Sequence, residues 1–211
     1  AFVARKLTRS PATGLDAVPP LCAALKPHQR DLVGWALRRG RAAIFADTGL
    51  GKMLMELEWS RVVAAHTGGR VLILAPLAVA QQIEAEGARF GIAVTRCHDG
   101  ADVRDGINVT NYDRLHRFDA AQFVAVVLDE SGCIKHHDTK TLKTLLDAFA
   151  QTAWKLCGSA TPAPNDWTEL GTHAEFLGVC SRTEMLSEFF CHDGGETQVW
   201  RLKGHARTAF W

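Results

Sequence analysis

The chain has 211 residues and nearly cancelling charge, with 24 Lys and Arg against 23 Asp and Glu. Its composition, 47% hydrophobic and 22% charged, fits a globular body with a full core and excludes a disordered chain or a histone-like, purely electrostatic binder. No apolar run approaches the ~18 residues of a membrane span, and the basic, polar start Ala1–Pro11 lacks a signal-peptide core.

Six cysteines without a C-x-x-C pair read as reduced thiols, which places the expectation in a cytoplasm-like compartment. Cys133 with His136 and His137 has no second ligand pair at fixed spacing, so it reads as a loop and not a zinc site. Charge is uneven: residues 1–41 hold eight basic and two acidic side chains, and the remainder is mildly acidic. Such an arm could touch a phosphate backbone or be a solvated face. The sequence begins without Met, which reads as a fragment or processed product.

Residues 1–21, rich in Pro and small residues, read as an irregular basic lead-in. Pro27 opens a helical stripe (Leu32, Val33, Trp35, Ala36, Leu37) ended by Gly40. Ala42–Ala46 is a short buried strand, followed by a tight glycine loop and an amphipathic helix over Met53–His66. Val71–Leu74 is the next strand, closed by Pro76, with a helix over Val79–Arg89. Ile92–Thr95, Ile107–Thr110 and Phe123–Leu128 are strand candidates, and Leu142–Phe149 is helical. Trp154–Cys157 is a strand, Gly158–Pro164 a loop and Trp167–Leu177 a helix. Strands that are continuous apolar runs, alternating with helices, predict an α/β fold: a parallel sheet with helices on both faces. Ligands of such sheets sit at the carboxyl ends of the strands.

Two strand ends carry chemistry. Asp47-Thr48-Gly49-Leu50-Gly51-Lys52 joins a strand to a helix, the context of a phosphate-binding loop. Glycines let backbone N–H groups curl around phosphates, the helix N-terminus adds a positive end, and Lys52 reaches the β and γ oxygens. Met53 stands where a Ser or Thr hydroxyl usually binds Mg²⁺, and a thioether is a poor ligand for a hard cation. Phe123–Leu128 delivers Asp129 and Glu130. One carboxylate can hold Mg²⁺ through its waters and the other can orient and deprotonate an attacking water.

With these loops in place the chain resembles the first motor lobe of a superfamily-two helicase of the Swi/Snf-like DNA translocase type, over roughly Leu25 to Phe190. Leu25-Lys26-Pro27-His28-Gln29-Arg30 looks like the glutamine motif, which implies that Gln29 reads adenine. Asp47 through Lys52, with Met53, is similar to the family's P-loop, and Asp129-Glu130-Ser131-Gly132 stands where the family has Asp-Glu-x-His. Leu72 through Gln82, with Pro76 and Leu77, and Val109-Thr110-Asn111-Tyr112-Asp113 look like loops that follow a DNA strand. Lys135 fits the tail of the acidic motif and is implied as a further nucleic-acid contact. Gly158-Ser159-Ala160-Thr161-Pro162 resembles the motif that couples hydrolysis to movement.

The resemblance implies a P-loop NTPase with a RecA-like sheet, using ATP and Mg²⁺, with Asp129 toward the metal and Lys52, Asp129 and Glu130 catalytic. It further implies double-stranded DNA held by backbone contacts, in a bacterial or phage-infected cell, and no membrane partner. Residues 22–180 are read as the ATP-binding lobe and 181–211 as an exit segment toward a second lobe that would supply an arginine finger. Two other readings stay open: a non-hydrolysing nucleotide- or DNA-binding module, favoured by Met53 and Gly132, and the motor lobe of a restriction or repair complex. The aromatic and basic residues of the exit segment (Trp200, Lys203, His205, Phe210, Trp211) read as connection or packing, with base stacking as the alternative.

Overall fold

The structure is a computed structural model that describes residues 11–134, 139–192, 200–206 and 210. Helix α1 spans Pro27–Arg39, with Pro at its first position, and ends at Gly40. Strand β1 is Arg41–Phe45 and helix α2 Lys52–Thr67. Then follow β2 (Arg70–Ala75), α3 (Ala80–Arg89), β3 (Val94–Arg96), β4 (Ile107–Asn111) and β5 (Phe123–Leu128). Helix α4 is Lys140–Ala148, β6 Trp154–Ser159, α5 Leu170–Leu177 and α6 Arg182–Phe189.

Six strands form one sheet in the order β1-β6-β5-β2-β4-β3, every pairing parallel. Register Val127↔Ile73 and Leu156↔Val127 locks the three middle strands side by side. The strand period of two splits each apolar run between the faces. Val71, Ile73 and Ala75 join the core under α1, α2 and α3, with Val33, Leu37, Leu57 and Trp59. Leu72 and Leu74 join the opposite core, with Leu142, Leu145 and Phe149 around α4 and Phe176 of α5. Both faces are covered, which is why the strands read as unbroken apolar runs.

Helix α2 departs from the amphipathic pattern: Leu54 through Ser60 are all buried. It packs on the sheet and is flanked by α1 and α3, so a polar side chain on its outer face still meets protein. Glu58 is one such residue, fully buried, holding the Arg61 guanidinium through two hydrogen bonds of 2.7 and 2.8 Å and accepting from the Cys22 N–H at 2.7 Å. That contact, with Leu15 N–H donating to Leu37 O at 2.9 Å, docks the lead-in against the lobe.

Helix α6 was not evident among the expected elements, although Ser181 and Glu184 form a capping box at its start. It is followed by an antiparallel pair, β7 (Phe190–His192) and β8 (Trp200–Leu202). Trp200 and Leu202 pack on Met185, Leu186 and Phe190, and Lys203 Nζ donates to Ser187 O at 2.7 Å and Glu188 O at 3.0 Å. These contacts agree with packing as the role of Trp200 and Lys203. Trp211 and the side chain of His205 lie outside the described residues. No described helix is long and apolar enough to cross a membrane.

Candidate nucleotide site

The site follows from strand order. The loop after β1 and the acidic pair after β5 are 77 positions apart in the chain, counting from Lys52 to Asp129, yet only β6 separates their strands in the sheet. Lys52 Nζ lies 3.8 Å from Glu130 Oε1 and donates to the Ala46 carbonyl at 3.0 Å. Its side chain is 11% exposed, and that of Glu130 46%. An ammonium held at the mouth of a glycine loop that opens a helix can meet an anion such as a phosphate, and the acid across from it keeps it paired meanwhile.

The loop is shaped locally. Asp47 Oδ1 accepts from Thr48 N–H at 2.7 Å, and Gly49 and Gly51 take φ values of 83° and 79°. Gly51 is doubly constrained, because a Cβ there would overlap the Gln29 amide nitrogen. Gln29 is 5% exposed; its Nε2 donates to Leu50 O at 2.8 Å and its Oε1 accepts from Lys26 N–H at 2.8 Å. Both ends of the carboxamide are therefore engaged, and Gln29 braces the loop from beneath. Thr48, Gly49 and Leu50 are exposed, and Met53 is half-buried against the core of α2.

Asp129 is 5% exposed, its N–H donates to Leu74 O at 2.9 Å, and its carbonyl accepts from Tyr112 Oη at 2.8 Å. Burial, and then the Glu130 charge, raise its carboxyl to about 6. Glu130 has φ 49°, the one non-glycine positive φ among the described residues. Strain of this kind clusters where a side chain must be aimed.

Two residues that sequence reasoning missed complete the site. Glu56, one turn after Lys52 on α2, is 2% exposed, and both carboxylate oxygens lack a hydrogen-bond partner. Burial first, and then Asp129, push its carboxyl well above the usual range. Glu56 leans on Gly158 of β6, where any Cβ would overlap Oε1. A buried acid opposite a strand glycine was the available signal. His173 of α5 is 2% exposed, 3.1 Å from Ser131 Oγ through Nε2, and edge-on to Phe45 at 5.4 Å. Burial lowers the imidazole to about 4.

The loop after β6, expected to couple hydrolysis to movement, lies beside the acidic one. Ser159 is buried, its Oγ accepts from Thr161 N–H at 3.1 Å, and its carbonyl accepts from Ala46 N–H at 3.1 Å. A Cβ at Gly132 would lie 3.7 Å from Thr161 O and 3.8 Å from Ser159 Oγ. Ala160 is half-buried and Thr161 exposed. Of the expected nucleic-acid contacts, Leu77 is 67% exposed, Gln82 exposed and Pro76 half-buried, all at the carboxyl end of β2 or the start of α3. Thr110 and Asn111 are the last two residues of β4. Both are buried, and Asn111 Oδ1 accepts from Arg114 N–H at 3.1 Å, because β4 is an inner strand covered on both faces. Lys135 lies outside the described residues. So do Arg5, Lys6 and Arg9 of the basic arm, while Arg30 and Arg41 are spent on backbone carbonyls.

Mg²⁺ can be tested against the donors present. Met53 supplies none, Asp129 is a strand-end carboxylate, and Glu56 offers two orphaned oxygens in the same cluster. Among the described residues no three His, Cys, Asp or Glu side chains are set to cage an ion. That suits Mg²⁺, which keeps waters and takes one or two carboxylates plus phosphate oxygens. The residues fit the ion.

No protein-family model and no curated protein matches the chain. Solved structures do. The SWI2/SNF2 ATPase core of Sulfolobus solfataricus in complex with dsDNA aligns with TM-score 0.65 and 22% identity, over 83% of this chain and 41% of that one. The UvsW helicase of bacteriophage T4 aligns with TM-score 0.61 and 15% identity, over 82% and 64%. The Hef helicase domain of Pyrococcus furiosus aligns with TM-score 0.60 and 18% identity, over 73% and 36%. The chain thus shares the α/β fold, a parallel sheet with helices on both faces, that these ATPase and helicase structures contain. It spans less than two thirds of the length of each of these structures.

Proposed function

We propose that the chain is the ATP-binding motor lobe of a DNA-dependent ATPase of the Swi/Snf-like translocase kind. The observation that supports it is the meeting of Lys52 and Glu130, 3.8 Å apart, on loops after β1 and β5 with Asp129 behind them. In this reading the backbone N–H groups of residues 49–52 and the start of α2 cradle the phosphates, and Lys52 leaves the Ala46 carbonyl for the β and γ oxygens. Glu130, half-exposed and aimed by its positive φ, orients the attacking water and takes its proton. Asp129 would hold Mg²⁺, which would supply charge neutralisation at the phosphates. Residues 22–180 form the lobe, and a second RecA-like lobe closes the site and contributes an arginine, worth 10³–10⁵ in related NTPases.

DNA contact is proposed along the carboxyl edge of the sheet, through the backbone of residues 76–78 and the exposed Leu77 and Gln82, with Lys135 as a further candidate. Such contact is insensitive to base sequence and weakens with salt. A dsDNA complex has been described for the Sulfolobus core, which favours duplex as the partner. The decisive experiment is ATP binding and DNA-stimulated hydrolysis by wild type, Lys52→Ala and Glu130→Gln. Equal nucleotide affinity in wild type and Lys52→Ala would sink the assignment. Met53 and Gly132 favour a second reading, a nucleotide-binding module that does not hydrolyse, and binding without turnover in the presence of duplex and a second lobe would select it.

A further inference from the structure

The P-loop helix has a hole and a surplus. The hole is the hydroxyl that Met53 does not provide. The surplus is Glu56, one turn further along the same helix face, buried to 2% exposure with neither oxygen hydrogen-bonded. The polar group beside it is the Asp129 carboxyl, itself an acid, and native structures keep few such buried pairs without a proton, ligand or water to satisfy them. The fold also makes room for it. Residue 158 of β6 is glycine, and any side chain there would overlap Glu56 Oε1. Leu128 pairs with Cys157 across β5 and β6, so Asp129 and Gly158 are the next residues on adjacent strands, and Glu56, lying against Gly158, is on the Asp129 side of the sheet end.

Glu56 and Asp129 are thus neighbouring carboxyl groups, while Lys52 pairs with Glu130 at 3.8 Å. Two neighbouring carboxyl groups, held apart from that ion pair and next to bound phosphates, are oxygen donors suited to a cation. Hard oxygen donors select a divalent ion of the Mg²⁺ or Mn²⁺ class. We propose that Glu56 replaces the missing P-loop hydroxyl as the second protein oxygen on the divalent ion, directly or through one of its waters, beside Asp129. The inference rests on the nucleotide-site reading above. It explains why a P-loop can carry Met53: the ligand has moved one turn down the helix, from position 53 to position 56, and Gly158 gives it space.

The test uses Mn²⁺ as the probe on the full 211-residue chain. Free Mn²⁺ is read by electron paramagnetic resonance with ADP present, and the ADP Kd is measured in EDTA and in Mn²⁺. Glu56→Gln should weaken Mn²⁺ in the nucleotide complex by about 10-fold or more, the range for lost metal-site ligands and their supports. Adding Met53→Thr to Glu56→Gln should restore most of that loss, because it returns the hydroxyl to its usual place. Should Glu56→Gln fail to fold, Glu56→Asp, which retracts the carboxylate by one methylene, should give a several-fold loss. Mn²⁺ affinity within twofold of wild type in a folded Glu56 variant overturns the inference. A loss that Met53→Thr does not rescue overturns it too, by marking Glu56 as a packing residue. Wild type that binds no ADP even in EDTA overturns the nucleotide reading itself, whereas ADP binding with Glu56-independent Mn²⁺ overturns only this step.

Discussion

Replacing His173 with glutamine removes a buried titrating ring and keeps a polar head for Ser131, 3.1 Å away. The imidazole titrates at about 4 in the folded chain, against an ordinary value of 6.5, because burial disfavours its charged form. Between those values the unfolded chain binds more protons than the folded one, so stability rises with pH and is lost on acidification through 6.5 toward 4. Integrated from about pH 7.5 to about pH 5, the loss is roughly 2 kcal/mol. Asp129 works in the opposite direction. Its carboxyl is raised from 3.8 to about 6, so it strains the fold above that value and relaxes as the pH falls through it. The wild-type curve alone therefore mixes two signs, and the informative quantity is the difference between wild type and His173→Gln. Urea unfolding followed by Trp fluorescence at the two pH values should show wild type losing about 2 kcal/mol more than the variant, some 4–8 °C in Tm for a chain of this size. Parallel pH profiles, with a difference that does not change between pH 7.5 and 5 by more than ~0.5 kcal/mol, would refute the buried neutral histidine.

Four further outcomes are expected. Lys52→Ala should weaken ATP binding at least tenfold, about 1.4 kcal/mol, whereas Glu130→Gln should bind ATP and lose turnover by about 10²-fold or more, both read by fluorescent-nucleotide titration and phosphate release. Glu130→Gly should raise stability by roughly 0.5–1 kcal/mol, since φ 49° suits glycine, while abolishing hydrolysis; a fall in Tm would show that the loop is unstrained. Gly158→Ala should cost about 1–3 kcal/mol through its clash with Glu56, and Glu56→Ala in the same chain should return part of it; additive losses in denaturant melts would contradict the contact. Glu58→Ala should cost about 2–3 kcal/mol and expose the lead-in to protease near Cys22, because that carboxylate holds both the Cys22 N–H and Arg61; an unchanged cleavage pattern would count against the docking.

The strands were legible because a sheet covered on both faces demands continuous apolar runs, and Ala42–Ala46, Val71–Leu74 and Phe123–Leu128 are such runs. The β7–β8 pair and α6 were not, since three-residue strands carry too few alternations to read, and the Ser181–Glu184 box stands before a helix of only eight residues. Helix α2 read as amphipathic because it mixes polar and apolar residues, and pattern alone does not say that α1, α3 and the sheet enclose it. At the site, Lys52, Asp129 and Glu130 were legible from local context, a glycine loop opening a helix and acids ending a buried strand.

The amino-acid order by itself determined which strand ends bear the glycine-lysine loop and the acidic pair, because glycine, lysine and carboxylate chemistry is local to a few consecutive residues. Only the tertiary structure decided which of those ends meet. Inserting β6 between β1 and β5 brings Lys52 to Glu130, sets Gly158 against Glu56 and seats His173 on Ser131. The physical reason is that parallel pairing joins residues far apart in the chain, so burial of Glu56 and His173, and the carboxyl and imidazole shifts that follow from it, arise from neighbours that no short stretch of sequence contains.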